Sequence, residues 1–157
     1  MASDFSLHVV LHQPEIPPNT GNIGRTCVAI GAKMWLVKPL GFSMDEKQVR
    51  RAGLDYWHHV QWEAVENWEA LTPQRNPART WYFTKHAHRL YTDVRFERGD
   101  WMVFGSETHG LPRSILDQAG DQALLIPMLP PVRSLNLSNS VAIVVYEALR
   151  QWREAGS

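Results

Sequence analysis

The chain has 157 residues, 44% hydrophobic and 20% charged, and its 16 basic side chains balance 16 acidic ones. That composition suits one globular domain spanning residues 1–157 and excludes a disordered chain. No apolar run approaches the ~20 residues of a membrane span, and the single Cys27 excludes an internal disulfide and a cysteine-based zinc site.

Apolar periodicity and punctuation residues predict strands alternating with helices. Residues 7–11 read as a strand. Residues 19–31 read as a helix, with Asn19 or Thr20 near its cap and Gly31 as its stop. A second strand is predicted at 34–37. Ser43 and Glu46 have the spacing of a capping box and open a short helix through Ala52, ended by Gly53. Residues 62–71 suggest a third helix, and 80–84 and 101–104 two further strands. Pro112 suits the first turn of a helix running to about Ala119. The last strand is predicted at 123–126. In the final helix, Val141, Val144, Val145, Ala148, Leu149 and Trp152 fall on one apolar stripe. The expected fold class is α/β, with a mostly parallel sheet covered by helices on both faces. Ligands bind such sheets outside the carboxyl ends of the strands, which directs attention to the loops after Leu11, Phe83, Phe104 and Ile126.

Three loops stand out. The first, PEIPPNTGNI at 14–23, is stiffened by prolines and leads to Arg25. Asn19, Asn22 and Arg25 share roughly one side of the helix and suit a phosphate or ribose, or they are an ordinary capped helix with a solvated arginine. The Gly21–Gly24 pair is not a dinucleotide fingerprint. The second loop, FGSETHGLP at 104–112, is a tight turn in which Glu107 either accepts hydrogen bonds within a site or caps the helix at Pro112. Ser106 and His109 do not make a hydrolase, because the G-x-S-x-G elbow is missing. The third, IPMLPPVRSLNLSN at 126–139, holds constrained polar sequence between two apolar elements. It is a helix entry, or a loop that presents many backbone donors and acceptors to a small ligand. His58-His59 and His86-x-His88 lack companions at a recognised metal spacing, so no metal is expected. With zero net charge, nucleic-acid contact requires a local basic patch.

Together with RRAGLDY at 50–56, these loops resemble the motifs of the SPOUT methyltransferases. Within that superfamily they are most similar to the subfamily that methylates the 2′-oxygen of the tRNA wobble nucleotide, cytidine or modified uridine 34. The resemblance covers residues 7–153. It implies a C-terminal deep trefoil knot, a homodimer, a cytoplasmic enzyme, and S-adenosyl-L-methionine as cofactor, leaving S-adenosyl-L-homocysteine. Phe83, Gly105, Ile126, Met128, Ser134 and Leu135 match its cofactor-binding positions. Arg25, Glu107, Asn136 and Tyr146 match residues tied to its activity. The tRNA anticodon stem-loop, with leucine tRNAs as expected substrates, would meet Asn19, Asn22, Lys47, Arg50, Arg51 and Arg133. Gly24 departs from the subfamily, which has a bulky or basic residue there. Arg25 is either a base or, since a guanidinium holds its proton, a positioning and charge-stabilising group. Only about six residues precede the first strand, so no separate RNA-binding domain is expected. Other readings are a knotted 2′-O-methyltransferase acting on rRNA or another tRNA position, and a non-catalytic nucleotide-binding α/β module.

Overall fold

In the computed structural model, which describes residues 4–156 with the side chains of residues 53–55 excepted, six parallel strands form one sheet. They are β1 (Leu7–His12), β2 (Lys33–Val37), β3 (Trp62–Val65), β4 (Thr80–Phe83), β5 (Asp100–Phe104) and β6 (Ala123–Leu124), in the spatial order β3-β2-β1-β5-β4-β6. The order reverses between β2 and β5, which flank β1. Among the described residues there are four α-helices, α1 (Pro17–Ile30), α2 (Lys47–Gly53), α3 (Arg113–Leu116) and α4 (Leu137–Glu154), with short 3-10 turns between the elements.

Strand residues alternate between two cores. Leu7, Val9 and Leu11 of β1 face a cluster built with Ile23 and Cys27 of α1 and with Val141, Val144, Val145 and Ala148 of α4. Val10 faces the opposite cluster, with Trp35, Tyr82, Trp101 and Val103, closed by Trp68, Leu71 and Ile115. Both faces are therefore covered, as the alternating pattern implies. The stripe of α4 is fully buried at Val141, Val144, Val145 and Ala148, and each valine side chain contributes about 1.5–3 kcal/mol. Its far end is pinned by polar bonds. Gln151 Nε2 donates to the Val94 carbonyl at 2.9 Å, the Phe96 amide donates back to Gln151 Oε1, and Trp152 Nε1 donates to the Phe96 carbonyl.

Several sequence expectations are corrected. Residues 62–71 are not a helix: β3 pairs in parallel with β2, and a 3-10 turn follows at Trp68–Leu71, where Asn67 Oδ1 accepts from the Ala70 amide. Ala64, Val65, Trp68 and Leu71 imitate a helical period over a stretch too short for periodicity to decide. Ser43 and Glu46 form no capping box. Ser43 Oγ accepts from the Asp45 amide in a local turn, and the Glu46 carbonyl accepts from Val49 and Arg50 as α2 begins. Asn19 and Thr20 lie inside the first turn of α1 rather than at its cap. Ile16 is the cap residue and offers no side-chain bond, while Pro17 and Pro18 fill the first positions, where no donor is needed. Gly31 does stop α1, at φ 70°, with its amide bonded to the Cys27 and Val28 carbonyls. The β6 strand ends at Leu124, but Leu125 keeps bonding sideways, donating to the Arg89 carbonyl and accepting from the Tyr91 amide.

Glycine serves helix packing at one position. A Cβ on Gly21 would strike the Val49 carbonyl, so α2 lies directly on α1 there. The glycine approaches a neighbouring helix rather than a ligand. At Gly24, Trp57 and Val60 leave only 3.2–3.3 Å to a Cβ, so the space of the subfamily's larger residue is filled from within this chain.

Candidate active site

A cleft of about 420 Å³ opens beyond the carboxyl ends of β4 and β5, within the ~300–1,000 Å³ usual for small-molecule sites. Phe83 and Phe104, the last residues of those strands, stack at 4.7 Å and nearly parallel, and both line it. All six positions expected to hold a cofactor, Phe83, Gly105, Ile126, Met128, Ser134 and Leu135, line this one cleft. They come from three segments more than 20 residues apart in sequence, and parallel topology brings them together. Lys85 and Arg133 also line it, and among the described residues neither has an ion-pair partner.

The walls suit S-adenosylmethionine. An aromatic floor accepts a purine, turn and proline-bound backbone offers donors and acceptors, and two free cations suit a carboxylate tail. Gly105 lines the cleft and also shapes the turn behind it. A Cβ there would collide with the Gly110–Leu111 backbone, so Gly105 permits closure of the turn, sealed by Gly110 N–H to the Ser106 carbonyl at 3.0 Å. Gly110 supplies the positive φ of 67°.

Beside the cleft, the three polar loops meet in one network. Glu107 Oε1 accepts from the Glu15 amide at 2.8 Å, and Oε2 accepts from the Ile16 amide at 3.0 Å and from Asn19 Nδ2 at 3.2 Å. Asn136 Nδ2 donates to Asn19 Oδ1 at 3.1 Å, while Asn136 Oδ1 caps α4 by accepting from the Ser138 and Asn139 amides. Glu107 therefore serves the approach to α1, not α3, whose cap position Pro112 offers no side-chain bond. Its negative charge also suits the positive end of the α1 dipole.

The remaining expected residues separate into two groups. Arg25 and Asn22 are exposed on α1, and Lys47, Arg50 and Arg51 are exposed on α2, which Gly21 holds against α1. The Arg25 guanidinium lies 4.9 Å from the Tyr56 ring centroid, joining the first motif to the RRAGLDY stretch; Gly53, Leu54 and Asp55 of that stretch lie outside the described side chains. Asn19 does not belong to this surface: it is buried, with both ends of its amide engaged in the loop network. Tyr146 is exposed on α4 and does not line the cleft.

Sequence reasoning missed Glu15 and Lys85, and weighed His86 only as a metal ligand. Glu15 Oε1 accepts from the Thr108 amide at 2.9 Å, and that bond, more than any other neighbour, holds its carboxyl below the usual carboxylate range. Lys85 and His86 directly follow β4 on the cleft wall; their place after a strand end was the available signal. Among the described residues, no three His, Cys, Asp or Glu side chains gather as a metal site, and no helix is long and apolar enough to cross a membrane.

Residues 6–146 match the sequence pattern of the SpoU rRNA Methylase family. The tRNA (cytidine(34)-2'-O)-methyltransferase of Saccharophagus degradans is 47% identical over 154 residues, 96% of this chain and 98% of that protein. A solved structure described as "Structural insights into the 2-OH methylation of C/U34 on tRNA" superposes with a TM-score of 0.89 at 41% identity, over 94% of this chain and 97% of that one. The SpoU methyltransferase AviRb of Streptomyces viridochromogenes, solved in complex with AdoMet, superposes at 0.83 with 25% identity, over 96% of this chain and 59% of that one.

Proposed function

The chain belongs to the SpoU rRNA methylase family, and we propose from that membership that it transfers a methyl group from S-adenosylmethionine to the ribose 2′-hydroxyl of the tRNA wobble nucleotide, position 34. The carrying observation is the convergence of all six expected cofactor positions on one cleft, in a chain alike over nearly its whole length to wobble-nucleotide methyltransferases.

Bound S-adenosylmethionine supplies an electrophilic sulfonium methyl; the residues of this chain supply position and electrostatics. Phe83 and Phe104 provide the flat floor, and the backbone of 105, 126, 134 and 135 provides directional contacts around it. Lys85 or Arg133 meets a carboxylate. Arg25 stands two turns into α1 and offers a planar fork to a substrate phosphate and positive charge to the oxygen that loses its proton. Holding two reactants in line is worth ~7–11 kcal/mol of a barrier. Lys47, Arg50, Arg51 and Asn22 extend a local basic surface around Arg25, which answers the lack of net positive charge and predicts salt-sensitive tRNA binding.

Three further readings accompany this one. The chain acts as a single domain, supported by one sheet that runs from Leu7 to Leu124 with α4 packed on it. The segment after β6 makes a trefoil-knot crossing, supported by its passage beside residues 89–91 on the way from one sheet edge to the α1 side. The enzyme is a homodimer, supported by exposed Leu129, Val132, Ile143 and Tyr146 around the cleft loop and the outer side of α4, and it works in the cytoplasm, supported by its likeness to tRNA-modifying enzymes.

The test is mass spectrometry of tRNA incubated with protein and S-adenosylmethionine, with the added methyl located by nuclease fragments. The expected product is a 2′-O-methyl group at nucleotide 34. A methylated base, or a methylated ribose outside the anticodon loop, overturns the assignment.

A further inference from the structure

Glu15 and Glu107 clasp each other's loops. Glu107 takes the amides of Glu15 and Ile16, and Glu15 takes the amide of Thr108. Each carboxylate is held by backbone N–H groups of the other's loop, in short charge-assisted bonds. The Glu15 backbone is gripped from behind as well. A Cβ on Gly41 would press the Glu15 Cα at 2.9 Å, and the Gly41 amide donates to the Pro14 carbonyl at 3.0 Å. Residue 15 therefore has little freedom, and its bond to Thr108 anchors the glycine-bounded turn to it.

The two clasped loops serve different reactants. Residues 105–111 line the cofactor cleft. Residues 14–16 launch α1, where Arg25 follows Asn19 by six residues, about 9 Å along the axis. We propose that Glu15 is a positioning residue for methyl transfer: its carboxylate holds the cofactor-lining turn at Thr108 in register with the helix that carries Arg25. The proposal rests on the methyltransferase reading above and extends it to how the donor and acceptor sites keep their relative geometry. Misplacement by ~1 Å costs up to ~100-fold in rate, so a bond of this kind has a large lever.

Glu15 and Glu107 must respond differently to amidation. Glu15 meets one backbone donor and otherwise the hydroxyls of Thr108 and Ser106, which can donate or accept, so a glutamine can still turn its Oε1 to the Thr108 amide. Glu107 meets three N–H donors with two oxygens, and a glutamine would point its own NH₂ at one or two of them. The experiment compares E15A, E15Q and E107Q by calorimetric affinity for S-adenosylhomocysteine, by kcat and KM on a tRNA transcript, and by urea unfolding. E15A is expected to weaken S-adenosylhomocysteine about tenfold or more and to lower kcat more than it raises KM for tRNA, the size expected for a lost hydrogen bond to a charged group. E15Q is expected to recover affinity to within about threefold of the parent, and E107Q is not. Amide hydrogen exchange without any ligand reads the coupling directly: E15A should speed exchange at Ile16 as well as at Thr108. Acceleration at Thr108 alone means the two halves of the clasp are independent and overturns the proposal. So does unchanged affinity and kcat in folded E15A, or an E15Q as damaged as E15A. A methyl found elsewhere than on a tRNA ribose would sink the functional reading while leaving the exchange and affinity results to judge this one.

Discussion

At the amino ends of β4 and β5, Asp100 gathers four donors from three residues: Arg79 Nε and Nη2 at 2.8 and 2.6 Å, Trp81 Nε1 at 2.8 Å and the Glu97 amide at 2.9 Å. At the opposite ends of the same sheet, Glu107 gathers three donors from the approach to α1. Asp100 is 1% exposed, and its network ties together the amino ends of β4 and β5, none of its residues lining the cleft. The Glu107 network rims a cleft with free cations on its walls. The same chemistry, a carboxylate saturated by N–H groups, thus stabilises at one end and positions at the other. The difference lies in what each carboxylate joins: neighbouring parts of the sheet in one case, loops that face two reactants in the other.

The contrast breaks most sharply on Asp100→Ala. Removing the buried partner of a hydrogen-bonded ion pair costs about 3 kcal/mol here, the low end for such pairs, because Arg79 is 27% exposed and keeps Glu97. Arg79, whose guanidinium Asp100 holds more firmly protonated than usual, would lose that partner, and the Trp81 N–H would be left unbonded. Urea unfolding should show that loss, while the folded fraction binds S-adenosylhomocysteine with its parental affinity. A weakened affinity with intact stability would mean the two ends are not separable in role.

Gly105→Ala should do the reverse. Its Cβ falls on the Gly110–Leu111 backbone, so the turn must open at a cost of about 1–3 kcal/mol, typical of overpacking. Because that turn lines the cleft, affinity for S-adenosylhomocysteine should drop at least about tenfold. Parental affinity in a folded Gly105→Ala variant would show that turn closure is irrelevant to the cofactor.

These two ends were not equally legible in the sequence. Six of the cleft's lining positions were named from family resemblance, and five of them, all but Phe83, sit in short strings of glycine, proline and small polar residues that local chemistry marks as either ligand-facing loops or helix entries. The alternation of strands and helices, the α4 stripe and Gly31 were readable from periodicity and turn chemistry. The network partners were not. Asp100 and Arg79 are ordinary charged residues until β4 and β5 align them, and Glu15 stands in a motif whose spacing says nothing of Thr108, 93 residues away. Residues 62–71 misled because four apolar residues fit two periods. Asn19 was placed on the RNA-facing side because a helix wheel shows which residues share a side, not that Glu107 and Asn136 cover it.

Within the positioning end, Arg25→Lys separates charge from shape. Lysine keeps the positive charge but lacks the planar fork and stacks less well on Tyr56. The expected result is a kcat about tenfold lower, or ~1.4 kcal/mol, with KM for tRNA little changed. A near-normal rate would leave Arg25 as a point charge and remove any bidentate contact.

The smallest effect belongs to the stabilising end and is read by pH. His8 lies stacked on Trp101 at 4.2 Å, and its Nδ1 accepts from Trp35 Nε1 at 3.1 Å. A proton on Nδ1 would abolish that bond. Burial first, and Lys33 second, lower the imidazole pKa from 6.5 to about 4. Between those values the unfolded chain binds a proton that the folded chain refuses, so stability falls as pH drops from about 6.5 toward 4 and is fully present above 6.5. The shift would set a ceiling of about 3 kcal/mol, and partial solvent exposure reduces it to about 1 kcal/mol. His12 is lowered too, again chiefly by burial, and Glu15 and Glu147 lose stability on acidification in their own right. The His8 share is therefore the difference in slope between the parent and His8→Phe, which keeps an aromatic ring but cannot titrate. Parallel pH profiles of unfolding free energy between 4 and 6.5 would remove His8 from the acid response and leave the lower end of the sheet held by Asp100 and packing alone.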